Sequence, residues 1–159
     1  MRRILATIVA AVVCATTLVM NTAPANAVNV RYRAAKSCET GGKTFSADIH
    51  TYGKPTSANP GVYTEVQLWG YKMESGASLK RVEAWYVVWR DGSWHVTTGI
   101  GYDVPGTANG KWHNGDINGK FMIGYLTPTN PTAVMVRAYT GPTSFCNVFL
   151  RPYDLYWVG

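Results

Sequence analysis

Apolar and polar residues alternate with a period of two in short runs along most of the chain, and no long helical pattern occurs after residue 27. A period of two is typical of β-strands, because successive side chains of a strand point to opposite faces of its sheet. The runs predict eight or nine strands, at residues 28–34, 44–52, 62–72, 81–89, 94–100, 120–126, 133–140, 144–151 and 153–158. Strands this closely spaced indicate an all-β fold, either an antiparallel β-sandwich or, alternatively, a closed or partly open β-barrel.

Residues 91–92 (Asp-Gly) predict the turn of a β-hairpin. Asp-Gly supplies the two positive-φ positions of a type I′ turn, and the runs on both sides are rich in β-branched and aromatic residues. A two-residue turn fixes the register, with Trp89 opposite Trp94 and Trp85 opposite Thr98. The same register places Trp85, Trp89 and Trp94 on one face of the hairpin.

That shared tryptophan face has two interpretations. Indoles that face solvent would form a flat surface that stacks on sugar rings, whereas indoles that face inward would build the core. Val87 lies between the tryptophans on the same face and favours the core interpretation.

A second set of aromatic residues lies on the strand predicted at 62–72. Tyr63, Trp69 and Tyr71 share one face with Glu65 and Gln67. Mixed polar and aromatic side chains are typical of an exposed surface, and a row of large exposed rings indicates a binding site. We therefore expect this face to be exposed and to bind a ligand.

The first 27 residues have the features of a cleaved secretory signal peptide. Arg2 and Arg3 precede an apolar run, and Ala25-Asn26-Ala27 provides a small-x-small cleavage site. The run is too short and interrupted to span a bilayer. We therefore predict a secreted, extracellular protein with no transmembrane segment and a single β-sandwich domain over residues 28–159. The alanine-rich style of the signal favours a bacterial origin.

Two cysteines, Cys38 and Cys146, remain once Cys14 leaves with the signal peptide. Export exposes both thiols to an oxidising compartment, so we predict one disulfide between an early and a late strand. The bridge would close a loop of roughly 107 residues and stabilise the fold by about 4–5 kcal/mol in the chain-entropy model. A Cys/His metal site is disfavoured because the cysteines lack local CxxC spacing.

The distribution of charge along the chain does not favour nucleic-acid binding. The formal charge of +6 falls by two, to +4, when Arg2 and Arg3 leave, and the remaining basic residues are spread along the chain. Nucleic-acid binding shows a concentrated basic patch, whereas weak attraction to an anionic cell wall needs only diffuse charge. We therefore predict no nucleic-acid partner. The sequence also has no phosphate-cradling glycine loop, and we predict no cofactor.

No metal site is predicted either. Residues 114–119 resemble the beginning of a calcium loop, but Lys120 adds a cation and Tyr125 stands where a bidentate glutamate is needed. The three histidines are too dispersed for a zinc motif.

We expect a non-catalytic binding module that recognises an extracellular polysaccharide, a cell-wall component or a protein. Trp112 lies in one of two long connections, residues 101–119, and such loops often carry function. The predicted ligand-binding residues are Tyr63, Trp69, Tyr71 and Trp112.

Two alternatives remain open. A secreted hydrolase would need a pair of carboxylates, and Glu65 with Glu83 on neighbouring strands would be the candidates. A protein-interaction protein, such as a protease inhibitor or a toxin, could present the loop at residues 53–57. No G-x-S-x-G elbow is present in the sequence.

Overall fold

The computed structural model describes residues 31–115, 117 and 119–159, so the predicted signal peptide lies outside the described residues. Within these ranges the chain forms twelve β-strands and one 3₁₀-helix, Pro152–Asp154. The strands are β1 (Tyr32–Thr40), β2 (Lys43–Thr51), β3 (Tyr63–Met73), β4 (Ser78–Leu79), β5 (Arg81–Arg90), β6 (Ser93–Asp103), β7 (Gly106–Thr107), β8 (His113–Gly115), β9 (Met122–Gly124), β10 (Thr132–Tyr139), β11 (Phe145–Leu150) and β12 (Tyr156–Trp157). The same ranges hold no helix long and apolar enough to cross a membrane.

The long strands form two antiparallel sheets that pack face to face. The first sheet has the order β12-β1-β2-β3-β8, and β9 pairs with the beginning of β3. The second sheet has the order β11-β10-β5-β6. The sheets do not close into a barrel, so the predicted antiparallel β-sandwich is confirmed and the barrel alternative is wrong.

One hydrophobic core fills the space between the sheets. The first sheet contributes large buried side chains from two strands, Phe45 and Ile49 of β2 and Trp69, Tyr71 and Met73 of β3. The second sheet contributes smaller ones, Val82, Ala84, Ile100, Val134, Val136, Val148 and Leu150. Large side chains of one sheet therefore pack opposite smaller aliphatic ones of the other, as the close packing of protein interiors requires. Because the core uses one face of each sheet, the other face of each is left to solvent or to a ligand.

The predicted disulfide between Cys38 and Cys146 is confirmed. The bond joins β1 of the first sheet to β11 of the second, and the two Cα atoms lie 6.0 Å apart. It therefore fastens the two layers of the sandwich to each other near one end.

The β5–β6 hairpin has the predicted turn. Asp91 and Gly92 adopt φ values of 52° and 75°, and Trp89 pairs with Trp94. Further from the turn the ladder contains two register shifts, and the first of them, between Val87 and Tyr86, makes Trp85 pair with Gly99 instead of the predicted Thr98. A β-bulge inserts one unpaired residue and changes all pairings beyond it.

A β-bulge also interrupts β3, where Gln67 has no partner on β2. His50 of β2 pairs with Leu68, and the next residue, Thr51, pairs with Val66. The strand therefore contains one extra residue at this point. An extra residue exchanges the faces to which the odd and even positions point.

The bulge explains why the prediction of an exposed row on β3 is wrong. Before the bulge the even-numbered Val66 points into the core, as the alternation predicts. After it, the odd-numbered Trp69 and Tyr71 point into the core and are 0 % and 1 % exposed. A side chain with no exposed surface cannot stack on a ligand, so these two residues are structural.

Candidate functional site

The four residues predicted to bind a ligand do not form one surface. Trp69 and Tyr71 lie in the core, and Tyr63 is half-buried opposite Gly124 of β9. Trp112 is 42 % exposed and precedes β8. Of the four, only Trp112 offers a large part of its ring to solvent.

Trp112 packs against two cations of the first sheet. The guanidinium of Arg33 lies 5.0 Å from the centre of its indole ring, and the ammonium of Lys72 lies 5.6 Å from it. Arg33 Nη2 also contacts Asp48 Oδ2 at 2.7 Å, and His50 Nε2 lies 3.2 Å from the same oxygen. Residue 112 therefore belongs to a polar cluster on the outer side of the first sheet.

The second sheet carries hydrophobic residues on both of its faces. Val82 and Ala84, at even-numbered positions of β5, point into the core. Trp85 and Val87 lie at odd-numbered positions of the same strand and therefore point outward. The outward residues form their own cluster, in which Val87, Ala133 and Met135 are buried and Trp85, Trp94 and Phe149 pack around them. The prediction that these tryptophans build the inter-sheet core is therefore wrong.

We call this outer surface of the second sheet the aromatic face. Its side chains come from all four strands: Trp85 and Trp89 of β5, Trp94 of β6, Met135, Arg137 and Tyr139 of β10, and Phe145 and Phe149 of β11. The rings of Trp89 and Trp94 lie edge to face, 5.4 Å apart at 67°. The rings of Trp94 and Phe149 are stacked, 5.7 Å apart at 21°.

A cleft of about 270 Å³ lies at one end of the aromatic face. Trp89 and Trp94 form one side, and Pro131, Arg151 and Tyr153 line the rest. Ring faces beside a guanidinium and a phenol combine apolar contact with hydrogen-bonding groups. A ligand with both apolar and polar edges would match such a cleft.

A second cleft, of about 250 Å³, opens at the middle of the face. It is lined by Glu83, Trp85 and Tyr102, with Gly99 opposite Trp85. A Cβ atom on Gly99 would have no atom within 4 Å, so this position is open space beside the indole. The glycine therefore leaves one side of Trp85 accessible.

A third cleft, of about 460 Å³, lies at the far end of the sheet. Lys80, Arg81 and Tyr139 contribute its cationic and aromatic lining, and the guanidinium of Arg81 lies 4.4 Å from the centre of the Tyr139 ring. The same arginine pairs with Glu83 of the middle cleft, at 3.1 Å. Three clefts thus follow one another along β5.

Asp154 fixes Arg151, the cation of the first cleft. It accepts hydrogen bonds from the backbone nitrogen and Nε of Arg151, both at 3.0 Å, and contacts Lys36 Nζ at 2.9 Å. Burial alone would raise the pKa of Asp154, but these bonds outweigh it and lower the pKa below its usual value. The carboxylate therefore stays ionised and holds Arg151 beside the ring of Tyr153.

The carboxylates proposed for a hydrolase are not brought together. Glu65 lies on β3 of the first sheet and Glu83 on β5 of the second, so they are not on neighbouring strands. The neighbours of Glu83 point into the core, and its own side chain points away from the first sheet to contact Arg81. A glycosidase needs its two carboxyl groups on either side of one scissile bond.

Histidine, cysteine, aspartate and glutamate side chains do not converge in groups of three or more within the described ranges. Residues 116 and 118 of the loop that resembles a calcium site lie outside those ranges.

Most of the aromatic face was not among the sequence-predicted site residues. The sequence signal for this face is the alternation in the β10–β11 hairpin. On β10, Met135, Arg137 and Tyr139 alternate with small aliphatic residues, and on β11, Phe145 and Phe149 occupy alternate positions of the same kind. Both parities are apolar in this region. The pattern alone therefore does not distinguish the core face from the exposed one.

Comparison with protein families, curated proteins and solved structures found no match for this chain. Its function is therefore inferred from the chemistry of its own surfaces. The aromatic face and the cluster around Trp112 are the two candidate surfaces.

Proposed function

We propose that this protein is a secreted, non-catalytic module that binds an extracellular or cell-wall polysaccharide through the aromatic face. One observation carries the proposal: Trp85, Trp94 and Phe149 pack in a cluster that lies outside the inter-sheet core. These three rings are half-buried and Phe145 beside them is 46 % exposed, and a contiguous apolar patch at the surface of a monomer often has a binding role. Aromatic rings with polar groups at their edges suit a ligand that is apolar on its faces and polar around its rim, as a sugar ring is.

The arrangement of the clefts supports an extended ligand over a compact one. The clefts follow β5 from Arg81 to Trp89, and a strand rises about 3.3 Å per residue, so these positions span about 26 Å. A chain of several sugar units would cover that length, whereas a small molecule would fill one cleft. Asn147 and Tyr153 add hydrogen-bonding groups along the path.

Secretion rests on two independent features of the chain. The first 27 residues have the order of charge, apolar run and cleavage site expected of an export signal. The Cys38–Cys146 disulfide is of the kind that persists in oxidising compartments outside the cytosol. Both features agree with a ligand on or beyond the cell surface.

The test compares tryptophan variants on the two outer surfaces. Purified protein comprising residues 28–159 is incubated with insoluble polysaccharides and cell walls and screened on a soluble glycan array. We expect Trp94→Ala to weaken binding by about tenfold, the equivalent of ~1.4 kcal/mol, because stacking and apolar contact are lost. Trp112→Ala, which removes an exposed indole from the first sheet, is the matched control and should leave binding unchanged.

Circular dichroism and melting curves establish that both variants fold. Weakened binding by Trp112→Ala with unchanged binding by Trp94→Ala would place the site on the first sheet and refute the proposal. Failure of the wild-type protein to bind any glycan would also refute it and would direct the search to a protein partner.

A further inference from the structure

Arg137 lies at the centre of the aromatic face. Its guanidinium carbon is 4.5 Å from the centre of the Phe145 ring and 5.3 Å from that of Trp85. Nε donates a hydrogen bond to Asn147 Oδ1 at 2.6 Å, and Nη1 donates one to the Tyr139 hydroxyl at 3.3 Å. Rings on several sides and two hydrogen bonds fix the guanidinium in one orientation.

Arg137 forms no salt bridge with any carboxylate of the described residues. Its cross-strand neighbours are Glu83 and Asn147, and Glu83 pairs with Arg81. The third nitrogen, Nη2, makes no hydrogen bond within the described chain and is not among the buried unpaired atoms. Nη2 is therefore a donor without a partner in the described chain, and it is not fully buried.

The two other arginines that line the clefts differ from Arg137 in this respect. Arg81 is paired with Glu83, and Arg151 is paired with Asp154. A half-buried arginine without a carboxylate partner carries a net positive charge in a partly desolvated site, where an anion binds more strongly than at an open surface. Lys80, at the cleft next to Tyr139, adds a second cation on the same side.

We propose that Arg137 binds the anionic group of an acidic polysaccharide and makes the module selective for charged over neutral glycans. This inference rests on the proposed function and narrows its ligand class. A guanidinium binds carboxylate and phosphate oxygens through directed hydrogen bonds, and its planar surface packs on aromatic rings at the same time. The flanking rings would stack on the sugar while Nη2 meets the charged substituent.

The probes are polygalacturonate, its carboxyl-reduced neutral form and a poly(glycerol phosphate), each measured by calorimetry with the purified protein. The first two differ only at C6, which carries a carboxylate in one and a neutral hydroxymethyl group in the other. The third presents phosphate groups on a backbone without sugar rings. We expect the wild-type protein to bind an acidic polymer at least about tenfold more tightly than the neutral one, as a charge-assisted hydrogen bond predicts.

Three variants distinguish specific recognition by Arg137 from nonspecific attraction by the net positive charge of the protein. Arg137→Gln should remove most of the preference for the acidic polymer, so that its affinity for the acidic polymer falls at least about fivefold more than its affinity for the neutral one. Arg90→Gln removes the same charge at the β5–β6 turn, away from the clefts, and should change binding less than about twofold, because an exposed charge is screened by salt. Arg137→Lys keeps the positive charge but replaces the planar guanidinium and its paired N–H donors with an ammonium group. This variant tests the inference if Arg137→Gln does not fold.

Equal losses in Arg90→Gln and Arg137→Gln would mean that net charge alone attracts the polymer, which would overturn the inference. So would equal wild-type affinity for the neutral and both acidic polymers, although binding to glycans would then still stand. Absence of binding to every polymer, neutral or acidic, would instead refute the proposed function itself.

Discussion

Gly115 lies opposite Trp69 in the ladder between β3 and β8, and a Cβ atom on Gly115 would lie 1.8 Å from Cζ2 of the indole. The indole occupies the space that a side chain at residue 115 would need. Glycine at this position therefore allows the largest side chain of the core to pack between the sheets. Trp69 contributes to folding and is not available to a ligand.

Gly115→Ala should destabilise the protein by about 1–3 kcal/mol, because the added methyl group forces the indole or the β8 backbone to move. Urea unfolding followed by tryptophan fluorescence measures the loss. Gly99→Ala is the matched control, since a Cβ atom there has no neighbour within 4 Å. Equal destabilisation by the two substitutions would show that the close packing against Trp69 is not the cause.

Local signals in the sequence predict most of the fold. The turn at residues 91–92, the pairing of Trp89 with Trp94 and the Cys38–Cys146 bond all follow from residue type and compartment, and all are confirmed. Strand boundaries are less accurate: the first strand is predicted at residues 28–34, whereas β1 spans Tyr32–Thr40. The short strands β4, β7 and β8 are too brief for alternation to indicate them.

The candidate site was harder to predict for two physical reasons. The bulge at Gln67 exchanges the inward and outward positions of β3, and no residue type marks where an extra residue enters a ladder. On β10, Ala133, Val134, Met135 and Val136 are all buried, because both faces of the second sheet are covered by apolar side chains. Alternation identifies a core face only when the other face is polar.

Reduction of the Cys38–Cys146 disulfide should lower the melting temperature substantially. The bond links residues 108 positions apart, and a cross-link closing a loop of this size stabilises a fold by about 4–5 kcal/mol in the chain-entropy model. Calorimetry with and without a thiol reductant measures the change. The double variant Cys38→Ala/Cys146→Ala should melt at the lower temperature under both conditions. A shift with reductant in that variant would point to an effect other than the disulfide.

Asp154 should make the protein less stable in acid. Hydrogen bonds from Arg151 and Lys36 lower the pKa of Asp154 below its usual 3.8. A carboxylate with a depressed pKa stabilises the folded state above its unfolded pKa, and this contribution is lost as the pH falls through the folded pKa. Asp154→Asn should therefore melt below the wild type at neutral pH.

Melting temperatures of both proteins, followed from neutral pH into strong acid, test this prediction about Asp154. The difference in melting temperature between the wild type and Asp154→Asn should stay constant at pH values above the usual aspartate pKa of 3.8 and should decrease only below it. A gap that is unchanged in strong acid would mean that the asparagine disrupts packing and that the charge is not responsible.

Tyr71 should make the protein less stable in alkali. Burial raises the pKa of Tyr71 well above its usual 10.0. The hydrogen bond that its hydroxyl donates to Asp103 and the negative charge of that carboxylate raise the pKa further. The folded state therefore keeps the phenol proton at pH values where the unfolded chain releases it. Stability from this group is complete below pH 10.0 and is lost as the pH rises beyond it.

Unfolding free energies measured on both sides of that pH test the contribution of Tyr71, with Tyr71→Phe as the comparison. The variant loses the hydrogen bond to Asp103 and should be less stable than the wild type by about 1.5–3 kcal/mol near neutral pH, since the acceptor is charged. Its stability should then fall less steeply in alkali, because one buried phenol no longer resists ionisation. Parallel alkaline decreases in the two proteins would assign the effect to other tyrosines.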